Sequence, residues 1–186
     1  MAEEVIIVLA PGFEEIEAVT IIDVLRRGGV AISSAGLEGR EVGGAHGITI
    51  QADTTLESLG EQLFSGVILP GGMGGTSNLL NSEEVLALVK RHSQAGRVVA
   101  AICAAPWVLA KAQLLAGRQA TIYPGLEEKL GPDTAKMEAA VVEDGQLITS
   151  QGPATAMDFA LALVSRFAGA AKAREVARGL LAQQDS

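Results

Sequence analysis

Cys103 is the residue best placed by its sequence setting to act as a nucleophile. It ends the apolar run Val98-Val99-Ala100-Ala101-Ile102 and precedes Ala104-Ala105-Pro106. The run reads as a buried strand, and Ala104 to Ala112 reads as a helix with Pro106 in its first turn. A cysteine at that junction stands on a sharp elbow at the carboxyl end of a sheet, where open α/β sheets hold their ligands. Amides of the following helix would favour thiolate over thiol. The same pattern also suits an inert cysteine packed as a small hydrophobe.

Three carboxylates follow another strand end. Glu14, Glu15 and Glu17 come just after Pro11-Gly12. Glu14 and Glu15 read as a solvated, favourably charged helix N-terminus. Glu17 sits between Ile16 and Ala18 and shares a helical face with Ile21, so it is expected to point inward. A third strand end carries Gly71-Gly72-Met73-Gly74-Gly75. No Lys-Ser/Thr pair follows and the glycine spacing is not the dinucleotide fingerprint, so a phosphate cradle is disfavoured. A pocket of amides for an oxyanion fits better, and a plain tight turn fits too.

Histidine chemistry is sparse. His92 lies among Lys90, Arg91 and Ser93 and reads as exposed on its helix. His46 lies in Gly43-Gly44-Ala45-His46-Gly47, a loop within reach of a site. One cysteine and two separated histidines argue against a zinc centre, so no metal or other cofactor is expected.

These residues need a scaffold that brings strand ends together. Val5–Ala10, Val30–Ala35, Gly66–Leu69 and Arg97–Ile102 are short apolar runs bounded by Gly or Pro. Gly47–Ala52 alternates, Ala120–Tyr123 is a short strand, and Ala139–Val142 and Gln146–Thr149 flank a hairpin turn. Helices are expected over Glu14–Arg27, with Ile16, Val19, Ile22 and Leu25 sharing a face. Others are expected from the Ser82 cap to Gln94, over Pro153–Phe167 and over Ala171–Gln183, with the chain fraying after Gln183. Strands alternating with helices predict an α/β fold in one domain spanning 1–186, with a mostly parallel sheet covered on both faces.

Composition agrees. Apolar residues are 48% of 186 and aromatics only 3%, so branched aliphatics and alanine must do the packing. The net charge of −8 disfavours a nucleic-acid partner, since phosphates need a basic face. A lone cysteine fits a reducing compartment, and the acidic start before Val5 is not that of a signal peptide, so a cytoplasmic location is expected. No apolar stretch is long enough to span a bilayer.

Four segments together resemble the ThiJ/PfpI superfamily, in its DJ-type branch. They are Leu9-Ala10-Pro11-Gly12-Phe13-Glu14-Glu15-Ile16-Glu17, Leu69-Pro70-Gly71-Gly72, Ala100-Ala101-Ile102-Cys103-Ala104-Ala105-Pro106 and Thr149-Ser150-Gln151-Gly152-Pro153-Ala154-Thr155. The resemblance runs from Val5 to Val176. It implies a flavodoxin-like three-layer sandwich that forms a homodimer. It implies a redox-sensitive nucleophile at Cys103, a carboxyl at Glu17 bonded to the sulfur, and oxyanion amides from Gly72 and Ala104. Asp23 and Arg27 match an Asp and an Arg near the family's dimer interface. A thiolate and a carboxylate in a dry pocket repel, so the stable arrangement shares one proton between them.

Two positions depart from the family pattern. Tyr123, in Ile122-Tyr123-Pro124, stands where many members carry a histidine near the cysteine. A Cys-His couple is therefore absent there, and protease-like chemistry loses its base. His46 stands where the pattern has an anion-binding arginine. Tyr123 and His46 are accordingly the expected substrate-pocket variables.

Two activities follow from the resemblance. One is a cofactor-independent glyoxalase or protein deglycase acting on glyoxal, methylglyoxal or their early adducts on protein side chains. The other is a redox-sensing stress protein or chaperone whose Cys103 oxidises to sulfinic acid without turnover. A structural domain with a silent cysteine is the third possibility.

Overall fold

Val5, Ile7 and Leu9 pack into one helical layer, and Ile6 and Val8 pack into the other. This period-two alternation makes the first strand fully buried on both faces. The computed structural model describes residues 4–182 and repeats that logic across a central sheet. In chain order the elements are β1 (Val5–Leu9), α1 (Glu15–Arg27), β2 (Ile32–Gly36), β3 (Glu41–Gly43), β4 (Thr49–Gln51), β5 (Thr54–Thr55) and α2 (Leu56–Leu59). They continue with β6 (Gly66–Leu69), α3 (Met73–Asn81), α4 (Glu83–Gln94), β7 (Val98–Ile102), α5 (Pro106–Lys111), β8 (Gln119–Ala120) and β9 (Ala135–Lys136). The last are β10 (Val141–Asp144), β11 (Leu147–Ser150), α6 (Ala156–Ala168) and α7 (Ala170–Gly179).

The seven-stranded sheet has the order β10-β11-β7-β6-β1-β2-β5. Every neighbouring pair is parallel except β10 with β11, the predicted hairpin at one edge. Helices α1, α6 and α7 cover one face, through Ile21, Val24, Phe159, Leu163 and Ala173. Helices α3, α4 and α5 cover the other, through Leu79, Leu88, Val89 and Val108. The result is the expected flavodoxin-like three-layer sandwich. The chain leaves β1 toward β2 on one side and returns through β6 on the other. A crevice must therefore open between the carboxyl ends of β1 and β6.

Several sequence expectations need correction. Met73–Asn81 is a helix, although Gly74-Gly75 disfavours one by propensity. Tertiary bonds to the β1 loop override that preference: Gly75 N–H donates to Gly12 O at 2.9 Å and Asn78 Nδ2 to Pro11 O at 2.9 Å. The face of α1 carrying Ile16 and Val19 turns outward, with Ile16 58% exposed, while Ala18, Ile21, Val24 and Leu25 fill the core. His92 is fully buried, not exposed. It continues the Val85, Leu88, Val89 stripe at helical spacing, a signal that the flanking charges hide. Its Nε2 accepts from Phe64 N–H at 2.9 Å, and its Nδ1 lies 2.8 Å from Leu88 O. The expected Ala120–Tyr123 strand is only Gln119–Ala120. Helix α6 is preceded by a 3-10 turn over Pro153–Thr155, and α7 ends at Gly179. The expected fraying after Gln183 lies outside the described residues.

Candidate active site

Strand β7 ends at Ile102, and Cys103 then adopts φ 63°. A side chain with a Cβ is strained in that left-handed region. The elbow is held from both sides: Cys103 N–H donates to Ser150 O at 3.0 Å, and Cys103 O accepts from Tyr123 N–H at 2.9 Å. The expected helix does not begin at Ala104. Residues 103–105 form a turn, and α5 starts at Pro106. Preference for the thiolate therefore cannot rest on a long helix dipole. Individual amides take its place, because those of Gly72 and Ala104 favour the charged sulfur.

Strand β6 ends at Leu69, and the Pro70-Gly71-Gly72 turn passes directly over Cys103 and Glu17. A Cβ on Gly71 would sit 2.5 Å from Cys103 Cβ and 2.8 Å from Glu17 Oε2. Gly71 N–H donates to Glu17 Oε2 at 2.7 Å. Gly72 takes φ 86°, and a side chain there would strike the backbone of Gly12, Phe13 and Glu14. One turn thus gives one amide to the carboxyl and the next amide to the sulfur.

Glu17 is fully buried, as expected from its helical face. Its Oε1 has no hydrogen-bond partner. Burial pushes the carboxyl up to about 7, against the opposing bonds from Gly71 and Cys103. Burial also pushes the Cys103 thiol up, and the Glu17 charge beside it adds to that. The amides of Gly72 and Ala104 pull the other way without cancelling the rise. The first proton leaves the pair near neutrality, and the second is held far more tightly. Near pH 7 the carboxyl is therefore only partly ionised, and the sulfur keeps its proton. The expectation of a thiolate favoured outright is corrected: burial and the neighbouring Glu17 charge disfavour the sulfur anion.

Glu14 and Glu15 are buried, not solvated. Glu15 accepts from His46 N–H at 2.6 Å and lies 3.0 Å from His46 Nδ1. Burial raises the Glu15 carboxyl, but these His46 bonds outweigh it and hold the group down at about 2. His46 is raised by the bond to Glu15 and by the charges of Glu14 and Glu15. His46 thus clasps the β3–β4 loop to the start of α1, a role that its loop sequence did not reveal. No hydrogen bond or ion pair joins His46 to Cys103 among the described residues.

Tyr123 supports the elbow through its backbone, while its ring is half exposed against Gly152. Asp23 and Arg27 pair with each other at 2.6 Å on the outer face of α1, apart from the thiol. The structure brings the expected Cys103, Glu17, Gly72 and Ala104 together and assigns the Gly71 amide of the expected glycine run to the Glu17 carboxyl. The Pro-Gly-Gly run was the available signal.

A parallel three-layer sandwich with a strained cysteine elbow beside a buried glutamate defines a class of α/β proteins with a thiol at the sheet's carboxyl end. The sequence matches the DJ-1/PfpI family over residues 3–166, and the chain belongs to that family. It is 42% identical over 183 residues to protein dj-1beta of Drosophila melanogaster, covering 97% of this chain and 98% of the fly protein. The crystal structure of Drosophila DJ-1beta superposes with a TM-score of 0.96, covering 99% of this chain and 100% of that one. Oxidized DJ-1 of Toxoplasma gondii superposes at 0.94, with 33% identity over 98% of this chain and 100% of that one. A deglycase of Pyrococcus horikoshii, PH1704, is 30% identical over 152 residues, 81% of this chain and 91% of that protein.

Proposed function

We propose that the protein is a cofactor-independent glyoxalase and protein deglycase acting on methylglyoxal, glyoxal or their early adducts on side chains. The observation that carries this reading is the buried Glu17 carboxyl set beside the strained Cys103 elbow beneath the Gly71-Gly72 turn. The sulfur adds to the aldehyde carbon, and the aldehyde oxygen takes a proton to give a hemithioacetal. The two amides face the oxygen anion as it forms. Glu17 then removes the hydrogen from that carbon, the hemithioacetal hydroxyl passes its proton to the neighbouring carbonyl oxygen, and Glu17 returns its proton to the carbon of that former carbonyl. The product is a thioester of the 2-hydroxy acid. Water hydrolyses it, releasing lactate or glycolate and regenerating the thiol. The kinship with a protein named a deglycase supports this choice of substrate.

Lactate formation from methylglyoxal tests it. The protein without added cofactor should produce lactate, and Cys103→Ser should not. Wild-type rates in Cys103→Ser would overturn the reading.

A second reading is favoured by the unpartnered Oε1 of the Glu17 carboxyl. There, two equivalents of a peroxide oxidise Cys103 to the sulfinic acid, which Glu17 and the two amides bind. The kinship with a protein crystallised in an oxidized form supports it. Mass spectrometry after peroxide treatment should show a gain of two oxygens on Cys103, with Glu17→Gln altering the yield.

We further propose that two copies pair through α1 and the β3–β4 hairpin. Ile16, Val19 and Ile48 leave apolar surface there, next to Asp23 and Arg27. The family resemblance supports the same face. Light scattering should give twice the chain mass, and Val19→Glu should halve it. No described helix is long and apolar enough to cross a membrane.

A further inference from the structure

Cys103 is only 9% exposed, so the walls of its opening decide what reaches the sulfur. The turn after β6 closes one side. A Cβ on Gly71 would lie 3.0 Å from Cys103 Sγ, so no substituent fits between that turn and the sulfur. The remainder of a bound aldehyde must project outward, past the side chains that frame the elbow.

Two of those side chains are large, apolar and exposed. Met73 directly follows Gly72, whose amide favours the charged sulfur, and opens α3 with 58% of its surface exposed. Tyr123 donates its N–H to Cys103 O at 2.9 Å and is 48% exposed. Its ring lies against Gly152, where an added Cβ would stand 3.2 Å from Tyr123 Cδ2. Its hydroxyl bonds to no described residue, so the ring face is what it offers. A thioether and an aromatic face are adaptable apolar contacts for an alkyl or aryl group. The charges around the opening are acidic. Glu14 raises the Glu17 carboxyl, and Glu17 raises the thiol. His46 is turned to the carboxylates instead of the sulfur, with its Nδ1 at 3.0 Å from Glu15 and 3.6 Å from Glu14. An entering anion would meet repulsion from these carboxylates.

We infer that Met73 and Tyr123 are specificity-determining residues of the Cys103 site, selecting neutral electrophiles that carry an apolar alkyl or aryl group over anionic ones. Under the glyoxalase reading, on which the substrate class rests, these are apolar 2-oxoaldehydes such as phenylglyoxal. Phenylglyoxal would follow the steps given above: one water is consumed, mandelate leaves, and no oxidant or reductant enters. The selectivity of the opening itself is measurable on the thiol without turnover.

Alkylation of Cys103 in the full-length chain is the first test. The S–C bond forms, iodide leaves and the thiol proton passes to solvent. Rate constants for N-phenyliodoacetamide, iodoacetamide and iodoacetate are each divided by that of 2-mercaptoethanol with the same reagent, which cancels intrinsic reactivity. The normalised rates should fall in that order, by roughly tenfold or more from first to last. Tyr123→Ala and Met73→Ser should each lower the ratio of N-phenyliodoacetamide to iodoacetamide by about threefold or more, while Tyr123→Phe keeps it. Both side chains are exposed, so neither variant opens the core. The second test is mandelate from phenylglyoxal against lactate from methylglyoxal, where the same two variants should lower the ratio of kcat/KM values. Alkylation in the stated order with neither dicarbonyl consumed would sink the glyoxalase reading and sustain the selectivity of the opening. Equal normalised rates, or a thiol that none of the three reagents reaches, would overturn the inference even if methylglyoxal is consumed. An unchanged alkylation ratio in Tyr123→Ala or in Met73→Ser would overturn it for that residue.

Discussion

Gly71 N–H donates to Glu17 Oε2 at 2.7 Å, and the same glycine leaves no room for a side chain between that oxygen and Cys103 Sγ. The backbone of β6's terminal turn therefore sets how carboxyl and thiol meet. The carboxyl cannot move away from the amide without exposing a buried N–H, nor toward the sulfur without sharing its proton.

The first prediction separates proton transfer from thiol chemistry. Glu17→Gln keeps an oxygen for Gly71 and loses the carboxyl that carries the proton. Turnover of methylglyoxal should fall by roughly 100-fold or more, the usual contribution of a positioned acid–base group. Alkylation of Cys103 by iodoacetamide should survive. Steady-state lactate assays and timed mass spectrometry measure the two. Equal loss in both would mean that Glu17 serves only to build the pocket.

Glu17 also predicts a stability profile. Its pKa rises from 4.5 in the unfolded chain to about 7 in the fold. Its contribution is fully present below pH 4.5 and is lost as pH rises through 7. The shift corresponds to up to about 3 kcal/mol. Urea unfolding between pH 4.5 and 8.5 should therefore show a downward slope in the wild type that Glu17→Gln lacks. Parallel curves for the two proteins would show that Glu17 ionises in the fold as easily as in the open chain.

Much of this pair was legible before any coordinates. The elbow followed from an apolar run ending at Cys103, and the inward turn of Glu17 followed from its apolar flanks. The sheet followed from Gly- and Pro-bounded runs with intervening helices. What sequence could not show depends on partners distant along the chain. Glu14 and Glu15 look like surface acids until the His46 loop, thirty-odd positions on, folds over them. Met73–Asn81 looks like a loop until Gly12 and Pro11 supply its tertiary bonds. The outward Ile16 face of α1 was ambiguous because that helix is apolar on both sides.

Gly71→Ala and Gly72→Ala should fail for different reasons. At Gly71 the new methyl meets Cys103 and Glu17, which can shift only by separating. At Gly72 it meets rigid backbone, and φ 86° is itself unfavourable for alanine. We expect Gly71→Ala to cost about 1–3 kcal/mol and to slow Cys103 alkylation. Gly72→Ala should cost more. Thermal unfolding ranks the two, and Gly72→Ala proving as stable as wild type would contradict the close approach of the β1 loop.

His92 provides an opposite pH signature on the far side of the sheet. Burial lowers its pKa below 6.5, against the bond to Leu88, with Arg91 and Arg97 adding to the lowering. The neutral ring uses both nitrogens, donating from Nδ1 to Leu88 O and accepting from Phe64 N–H at Nε2. Protonating Nε2 would set two donors against each other. The contribution of His92 is therefore present above pH 6.5 and is lost as pH falls through the lowered folded value. His92→Leu should remove that acid-side slope. It should also cost about 1–3 kcal/mol at neutral pH, because Phe64 N–H is then buried without an acceptor. Denaturant titrations of wild type and variant at pH 7.5 and 5 measure both effects. If the gap between the two proteins does not narrow on acidification, the ring accepts its proton without cost and the hydrogen bond from Phe64 is not what holds it neutral.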